Sequence, residues 1–251
     1  MWNFEKKEER VEYMQQELVR AGFLLDEHKI DQLEQYYQML VEKNKVMNLT
    51  AITEFSEVVQ KHFIDSLMLL QFVDLKECSV MDVGTGAGFP GIPLKIACPE
   101  ATIILLDSLN KRIKFLNEVI ETLGLKKIKA IHGRAEDLAQ DPEYREQCDF
   151  CVSRAVANLS TLSEYGMPFV KVGGFFIPYK SGEIEEELKQ AEKAIAVLGG
   201  NFSVEKDRKN IKTFQLPESD IRRSLIFINK KRTTAKKYPR KAGMPSKDPL
   251  K

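Results

Sequence analysis

Beyond residue 80 the chain repeats a pattern that few folds can accommodate. Short apolar runs at 80–83, 102–106, 129–132, 150–153 and 175–179 read as strands, and between several of them lie helical stripes such as Ile113, Leu116, Ile120 and Leu123. Strand and helix in alternation require crossover connections, which give a mainly parallel sheet with helices on both faces. After Gly199 and Gly200 the segments are polar and strand-like as far as 225–228, with no long helix among them. The sheet is therefore expected to close with an antiparallel hairpin.

Residues 1–74 are patterned differently. Val11, Met14 and Leu18 recur at helical spacing, and Ile30, Leu33, Tyr36, Tyr37, Leu40 and Val41 form one apolar stripe behind Asp26, a natural N-cap. A third helix is expected after Thr53 as its cap, with Glu54 and Glu57 matched to the positive end of the dipole. Core packing suffices to explain these stripes.

The chemistry concentrates at the first strand-to-helix turn, Asp82-Val83-Gly84-Thr85-Gly86-Ala87-Gly88-Phe89-Pro90-Gly91. Doubly wound sheets bind ligands outside the carboxyl ends of their strands, and glycines there let a ligand approach the backbone. A dinucleotide fingerprint would need glycine at 89, where this chain has Phe; its third glycine is Gly88. With Asp82 ahead of the loop, that spacing favours S-adenosylmethionine, which has no pyrophosphate and presents an ammonium, a carboxylate and a sulfonium. The next strand ends at Asp107, placed to accept hydrogen bonds from two ribose hydroxyls, and Gly133-Arg134-Ala135-Glu136 follows the third strand where an adenine contact belongs.

Charge narrows the range of partners. The chain's net charge of +1 hides a tail: nine Lys and Arg at 230–251 face only Asp248, giving +8 there and −7 on residues 1–229. Pro239, Gly243, Pro245 and Pro249 argue against helix in this tail, leaving an extended segment that is mobile or laid over another surface. No apolar stretch approaches the ~20 residues of a membrane span, and the start of the chain is charged, so neither insertion nor secretion is expected. Four scattered cysteines fit a reducing, cytoplasmic setting. The pair Cys148 and Cys151 lacks a second pair to complete a metal site and reads as part of a buried strand. No metal is expected.

The run from Asp82 to Leu94, with Asn48-Leu49-Thr50 and His62-x-x-Asp65-Ser66 before it, resembles the bacterial 16S ribosomal RNA guanine-N7 methyltransferases, the glucose-inhibited division protein B family. The resemblance continues through Leu106-Asp107-Ser108, Lys111-Arg112, Gly133-Arg134-Ala135-Glu136, Ser153-Arg154-Ala155-Val156-Ala157, Lys180 and the closing Tyr238-Pro239-Arg240-Lys241-x-Gly243-x-Pro245, so it spans nearly the whole chain. It implies an α/β, Rossmann-like S-adenosylmethionine-dependent methyltransferase fold, organised as an N-terminal helical segment (1–74), a methyltransferase domain (75–229) with its antiparallel hairpin, and a basic C-terminal tail (230–251).

The same resemblance implies cofactor contacts at Gly84, Phe89, Asp107, Ser108, Ala135, Glu136 and Arg154, to which the loop reading adds Gly86. On the substrate side it implies Arg134, Lys180 and Arg222 or Arg223. The implied partner is 16S ribosomal RNA, free or within the small ribosomal subunit, met by a cytoplasmic monomer. Guanine N7 offers an in-plane lone pair, so no catalytic base or nucleophile is expected and orientation must supply most of the acceleration. His62, Asp65 and Ser66 share one helical face and read as a hydrogen-bonded joint to the sheet rather than a catalytic trio. Two rival readings remain: a methyltransferase acting on another RNA, a protein or a small molecule, and an RNA-binding module that has lost activity. The basic tail weighs against the first, and the intact glycine loop with Asp107 against the second.

Overall fold

A computed structural model describes residues 2–154, 157–216 and 222–251. Strands β1 (Ser79–Val83), β2 (Thr102–Asp107), β3 (Ile128–His132), β4 (Cys148–Ser153) and β5 (Val170–Ser181) run parallel in the order β3-β2-β1-β4-β5. Strand order reverses at β1, whose Asp82 pairs with Leu105 on one side and Val152 on the other. That reversal leaves a crevice at the carboxyl ends of β1, β2 and β4. The long β5 takes two antiparallel partners on its other edge: β9 (Ile228–Lys230) opposite residues 175–176 and β8 (Arg222–Ile226) opposite 179–181. Strand β8 pairs with β7 (Ile211–Gln215) as the expected hairpin, and β6 (Gly200–Asn201) pairs with β9.

Helices fill both faces. On one side, α1 (Lys7–Arg20) and α2 (Glu27–Met47) lead to α3 (Phe55–Val58), which passes through a π-helical turn (Val59–Ile64) into α4 (Asp65–Leu67). Their apolar stripes, Leu18, Leu33, Tyr36, Leu40 and Phe63, join Ile92, Leu105, Leu116 and Val152 in one continuous core. This brings in α5 (Gly91–Ala97) and α6 (Asn110–Thr122). The N-terminal helices thus share their core with the sheet. The opposite face, with Met81, Leu106, Cys151 and Phe176, is covered by α7 (Ala135–Leu138), α8 (Leu159–Gly166) and α9 (Glu185–Val197).

Asp26 caps α2, accepting from the Lys29 backbone N–H at 2.9 Å. Thr53 does not cap the third helix. That helix starts one residue later, and the Glu54 carboxylate folds back to accept from the Glu57 N–H at 2.9 Å, a charge-assisted bond at the positive helix end. Cys148 and Cys151 are buried, and burial raises both thiols, Cys148 to about 12. They behave as small apolar residues. Among the described residues no cluster of His, Cys, Asp and Glu could hold a metal ion, and no helix is long and apolar enough to cross a membrane.

The basic tail is laid over the protein as a strap. Lys230 lies inside β9 and is fully buried; its ammonium donates to the Met167 carbonyl at 2.7 Å and to Thr234 Oγ1 at 2.6 Å, 3.1 Å from Glu146. Burial lowers its pKa to about 8 against the pull of Glu146. Arg145 donates to the carbonyls of Thr234 and Tyr238, and Gln140 to that of Pro239. Arg240 forms an ion pair with the buried Glu164, and Thr161 Oγ1 donates to the Pro245 carbonyl at 2.8 Å beside the terminal turn α10 (Met244–Lys247). Lys231, Lys236, Lys237, Lys241, Lys247 and Lys251 face solvent.

Candidate functional site

The glycine loop turns from β1 into α5 over one buried side chain. Asp82 Oδ2 accepts from Thr85 Oγ1 at 2.7 Å and from the Gly91 N–H at 2.8 Å, which fastens both ends of the loop. Its Oδ1 is buried with no hydrogen-bond partner among the described residues. Burial raises the Asp82 pKa to about 7, with the two hydrogen bonds and the Arg154 charge opposing. Gly91 must be glycine, because a Cβ there would lie 2.2 Å from a Leu105 methyl and 2.8 Å from Asp82. Gly84, Gly86 and Gly88 hold φ of 71°, 63° and 111°. At Gly86 a Cβ would meet nothing within 4 Å, since the loop opens there on a cavity of about 680 Å³.

All eight residues expected to contact a cofactor line this cavity: Gly84, Gly86, Phe89, Asp107, Ser108, Ala135, Glu136 and Arg154. Their side chains are already organised by the protein. Asp107, at the end of β2, accepts from the Gly86 N–H at 2.9 Å through Oδ2, which also meets Arg112 at 3.1 Å, and from the Leu109 N–H at 2.9 Å through Oδ1. It ties the loop to the neighbouring strand. Glu136, in the first turn of α7, accepts from the Gly243 N–H of the strap at 2.8 Å. Phe89 is buried, with the His62 ring stacked 4.3 Å away and the Arg154 guanidinium 5.0 Å from its centroid.

Arg154 turns towards the helical segment. Its Nη1 donates to Asp65 Oδ2 at 2.9 Å and to the Lys61 carbonyl at 3.1 Å, and Nη2 meets His62 Nδ1 at 3.1 Å. Asp65, fully buried, also receives Arg223 Nε at 3.1 Å, while Ser66 donates to the His62 carbonyl and its own carbonyl accepts from Tyr179. His62, Asp65 and Ser66 therefore form a joint between the helices and the sheet. His62 is held neutral, its pKa lowered to about 3 by burial first and then by the Arg154 charge. Ala155 and Val156 of the Ser-Arg-Ala-Val-Ala run lie outside the described residues.

A second cavity of about 560 Å³ adjoins the first and shares His62, Arg154 and Ala157 with it. Lys61, Lys180 and Arg223 give it a basic lining. Of the expected substrate-side residues, Lys180 reaches the Ala157 carbonyl at 2.9 Å and Glu187 at 2.7 Å, and Arg134 is exposed at the rim of the first cavity. Arg222 and Arg223 alternate along β8, so they part: Arg223 lines the basic cavity and Arg222 a different depression, beside Glu185 and Arg208.

Several residues of the site carried no local signal. Tyr36, one more apolar position on α2 by its spacing, donates to the Ala87 carbonyl at 2.6 Å and so holds the glycine loop. Thr161, Tyr165 and Ser246 line the first cavity from α8 and the strap. The cavity's open glycine cradle and its carboxylates at the ends of β2 and the start of α7 suit S-adenosylmethionine, whose ribose hydroxyls and ammonium donate hydrogen bonds.

The family model described as rRNA small subunit methyltransferase G matches residues 29–214. The chain is 52% identical over 236 residues to ribosomal RNA small subunit methyltransferase G of Lachnoclostridium phytofermentans, covering 94% of this chain and 95% of that one. It is 47% identical over 242 residues to the protein of the same name from Lactobacillus johnsonii, covering 95% and 99%. Among solved structures, M. jannaschii TYW2 in complex with AdoMet shares the fold at a TM-score of 0.51 and 14% identity, over 67% of this chain and 76% of that one.

Proposed function

The chain belongs to the ribosomal RNA small subunit methyltransferase G family, and on that premise we propose that it transfers a methyl group from S-adenosylmethionine to N7 of one guanine in 16S ribosomal RNA. Identity of 52% carried over 94% of the chain is the observation that supports this most. The cofactor supplies the electrophilic methyl. The protein's part is to bind and orient. In this reading the unit 75–229 holds the cofactor through Gly84, Gly86, Phe89, Asp107, Ser108, Ala135, Glu136 and Arg154, while the helical segment 1–74 and the tail 230–251 complete the walls of its cavity.

No proton has to leave guanine N7 before it attacks, so no side chain is needed as a base. Holding the base in line with the methyl group can contribute up to roughly 7–11 kcal/mol by orientation alone. His62, neutral and stacked on Phe89, adds no cation next to a base that becomes positive. In this reading Lys180 and Arg223 of the adjoining cavity, paired with Glu187 and Asp65, and Arg134 at the rim are the cations that meet phosphates. The protein acts as a cytoplasmic monomer on 16S ribosomal RNA or on the small subunit that contains it.

The test is direct. Purified protein, S-adenosylmethionine and small subunits from cells lacking the gene are combined, and N7-methylguanine is mapped by chemical cleavage of the RNA. One new modified guanine is expected; transfer to protein or small molecules in place of 16S RNA overturns the reading.

A further inference from the structure

We infer that Thr50 reads the target base, its hydroxyl donating a hydrogen bond to guanine O6 beside the methylated N7; this rests on the function proposed above. The observation behind it is the direction of hydrogen bonds around His62. Arg154 Nη2 lies 3.1 Å from His62 Nδ1, and a guanidinium can only donate, so Nδ1 is the accepting nitrogen. With Nδ1 accepting, no ring proton points at the Lys61 carbonyl 3.1 Å away, which accepts from Arg154 Nη1. A neutral imidazole that accepts at one nitrogen carries its proton on the other. His62 Nε2–H therefore donates to Thr50 Oγ1, 2.9 Å away.

The same oxygen also accepts from the Ile52 backbone N–H at 3.1 Å. Both lone pairs of the hydroxyl are then occupied, and neither contact uses its own proton. Thr50 is thus set as a donor. It lines the cofactor cavity, and its partner His62 lines both that cavity and the basic one next to it. A base whose phosphates lie in the basic cavity and whose N7 faces the methyl group has to enter at this junction. On that edge guanine presents two acceptors, N7 and O6, whereas adenine presents an amino donor beside N7. A fixed donor at Thr50 accepts guanine and opposes adenine, and the charge of Arg154 sets it through His62 without touching the base.

The experiment pairs a protein change with a base change. Wild-type protein and Thr50→Val are compared on 16S ribosomal RNA, assembled into small subunits, that carries either guanine or 2-aminopurine, which lacks O6, at the methylated position. Losing the hydrogen bond is expected to lower wild-type kcat/KM on 2-aminopurine by about ten-fold, and to lower Thr50→Val by a similar factor on guanine with little further loss on 2-aminopurine. Thr50→Ser, which keeps the hydroxyl, is expected to behave as wild type. Equal preference of wild type for guanine and 2-aminopurine overturns the inference whether or not any variant folds, as does a full additional loss when the two changes are combined. Failure of wild type to methylate guanine despite binding S-adenosylmethionine in a calorimeter counts instead against the function proposed above.

Discussion

Arg240 grips the buried carboxylate of Glu164 with three groups: its backbone N–H at 2.8 Å, Nε at 2.9 Å and Nη2 at 2.7 Å. Glu164 is fully buried on α8, and Arg240 is paired with it at 2.7 Å. Removing one member of a buried pair strands the other, so Arg240→Ala is expected to destabilise the protein by about 3 kcal/mol. Urea unfolding measures this. Affinity for S-adenosylmethionine should fall as well, because the same strap holds Glu136 through Gly243; an unchanged midpoint and affinity would make the strap dispensable.

Truncation of the tail therefore cannot isolate a role in RNA binding, since Ser246 lines the proposed cofactor cavity and Gly243 supports its Glu136. The exposed lysines can. Replacing Lys236, Lys237 and Lys241 together by Gln is expected to weaken RNA binding and to reduce the salt slope, by about 0.7 for each lysine that contacts a phosphate of single-stranded RNA. Cofactor binding and thermal stability should stay as in wild type. A slope that does not move assigns these cations to solubility.

Gly86→Val is expected to abolish S-adenosylmethionine binding while leaving the protein folded. Its φ of 63° disfavours a branched residue, and the added methyls would project into the cavity rather than into protein. Calorimetry and circular dichroism together decide the point, and retained affinity would rule out cofactor binding over this loop.

Asp107→Ala removes the proposed ribose acceptor and also releases the Gly86 N–H. Cofactor affinity should fall by about 1.5–3 kcal/mol. RNA affinity, measured without cofactor by filter binding, should change much less; the reverse pattern would assign Asp107 to the substrate.

His62 supplies a prediction in pH. Its folded pKa is lowered to about 3 from 6.5, so between those values the unfolded chain binds a proton that the native protein does not. The stability tied to neutral His62 is therefore present above pH 6.5 and is lost as pH falls towards 3. Denaturant unfolding of wild type and His62→Gln across pH 4–7 isolates this contribution as a difference of slopes, steeper in wild type. Parallel slopes would mean that His62 titrates normally in the fold.

Much of this architecture is legible in the sequence because it rests on local pattern. The parallel strands follow from apolar runs, and the loop from glycines whose positive φ values other residues would resist. Asp26 caps α2 for a reason visible within four residues, whereas Thr53 and Glu54 are both plausible caps and only the chain's path selects Glu54. What local pattern does not carry is partnership across the fold. Tyr36 has the spacing of a core residue and is one, yet its hydroxyl supports the loop 51 positions away. Asp107 is recognisable as a strand-ending acid, but its hold on Gly86 and Arg112 is not. The tail's charge is plain in the sequence, while its role as a strap depends on Arg145, Glu146 and Glu164, none of which stands out from its neighbours.

Because the strap holds Glu136 and brings Ser246 to the cavity wall, the ligand site is finished by residues that leave the translating ribosome well over a hundred positions after the glycine loop. Synthesis runs from the N-terminus, so the helices and most of the sheet can assemble before Arg240 emerges, but the cavity stays open on that side until the strap has followed. Competence to bind cofactor consequently waits for the strap. A nascent polypeptide whose strap has not emerged, or one terminated before Arg240, would carry every glycine of the loop and yet lack the closed site.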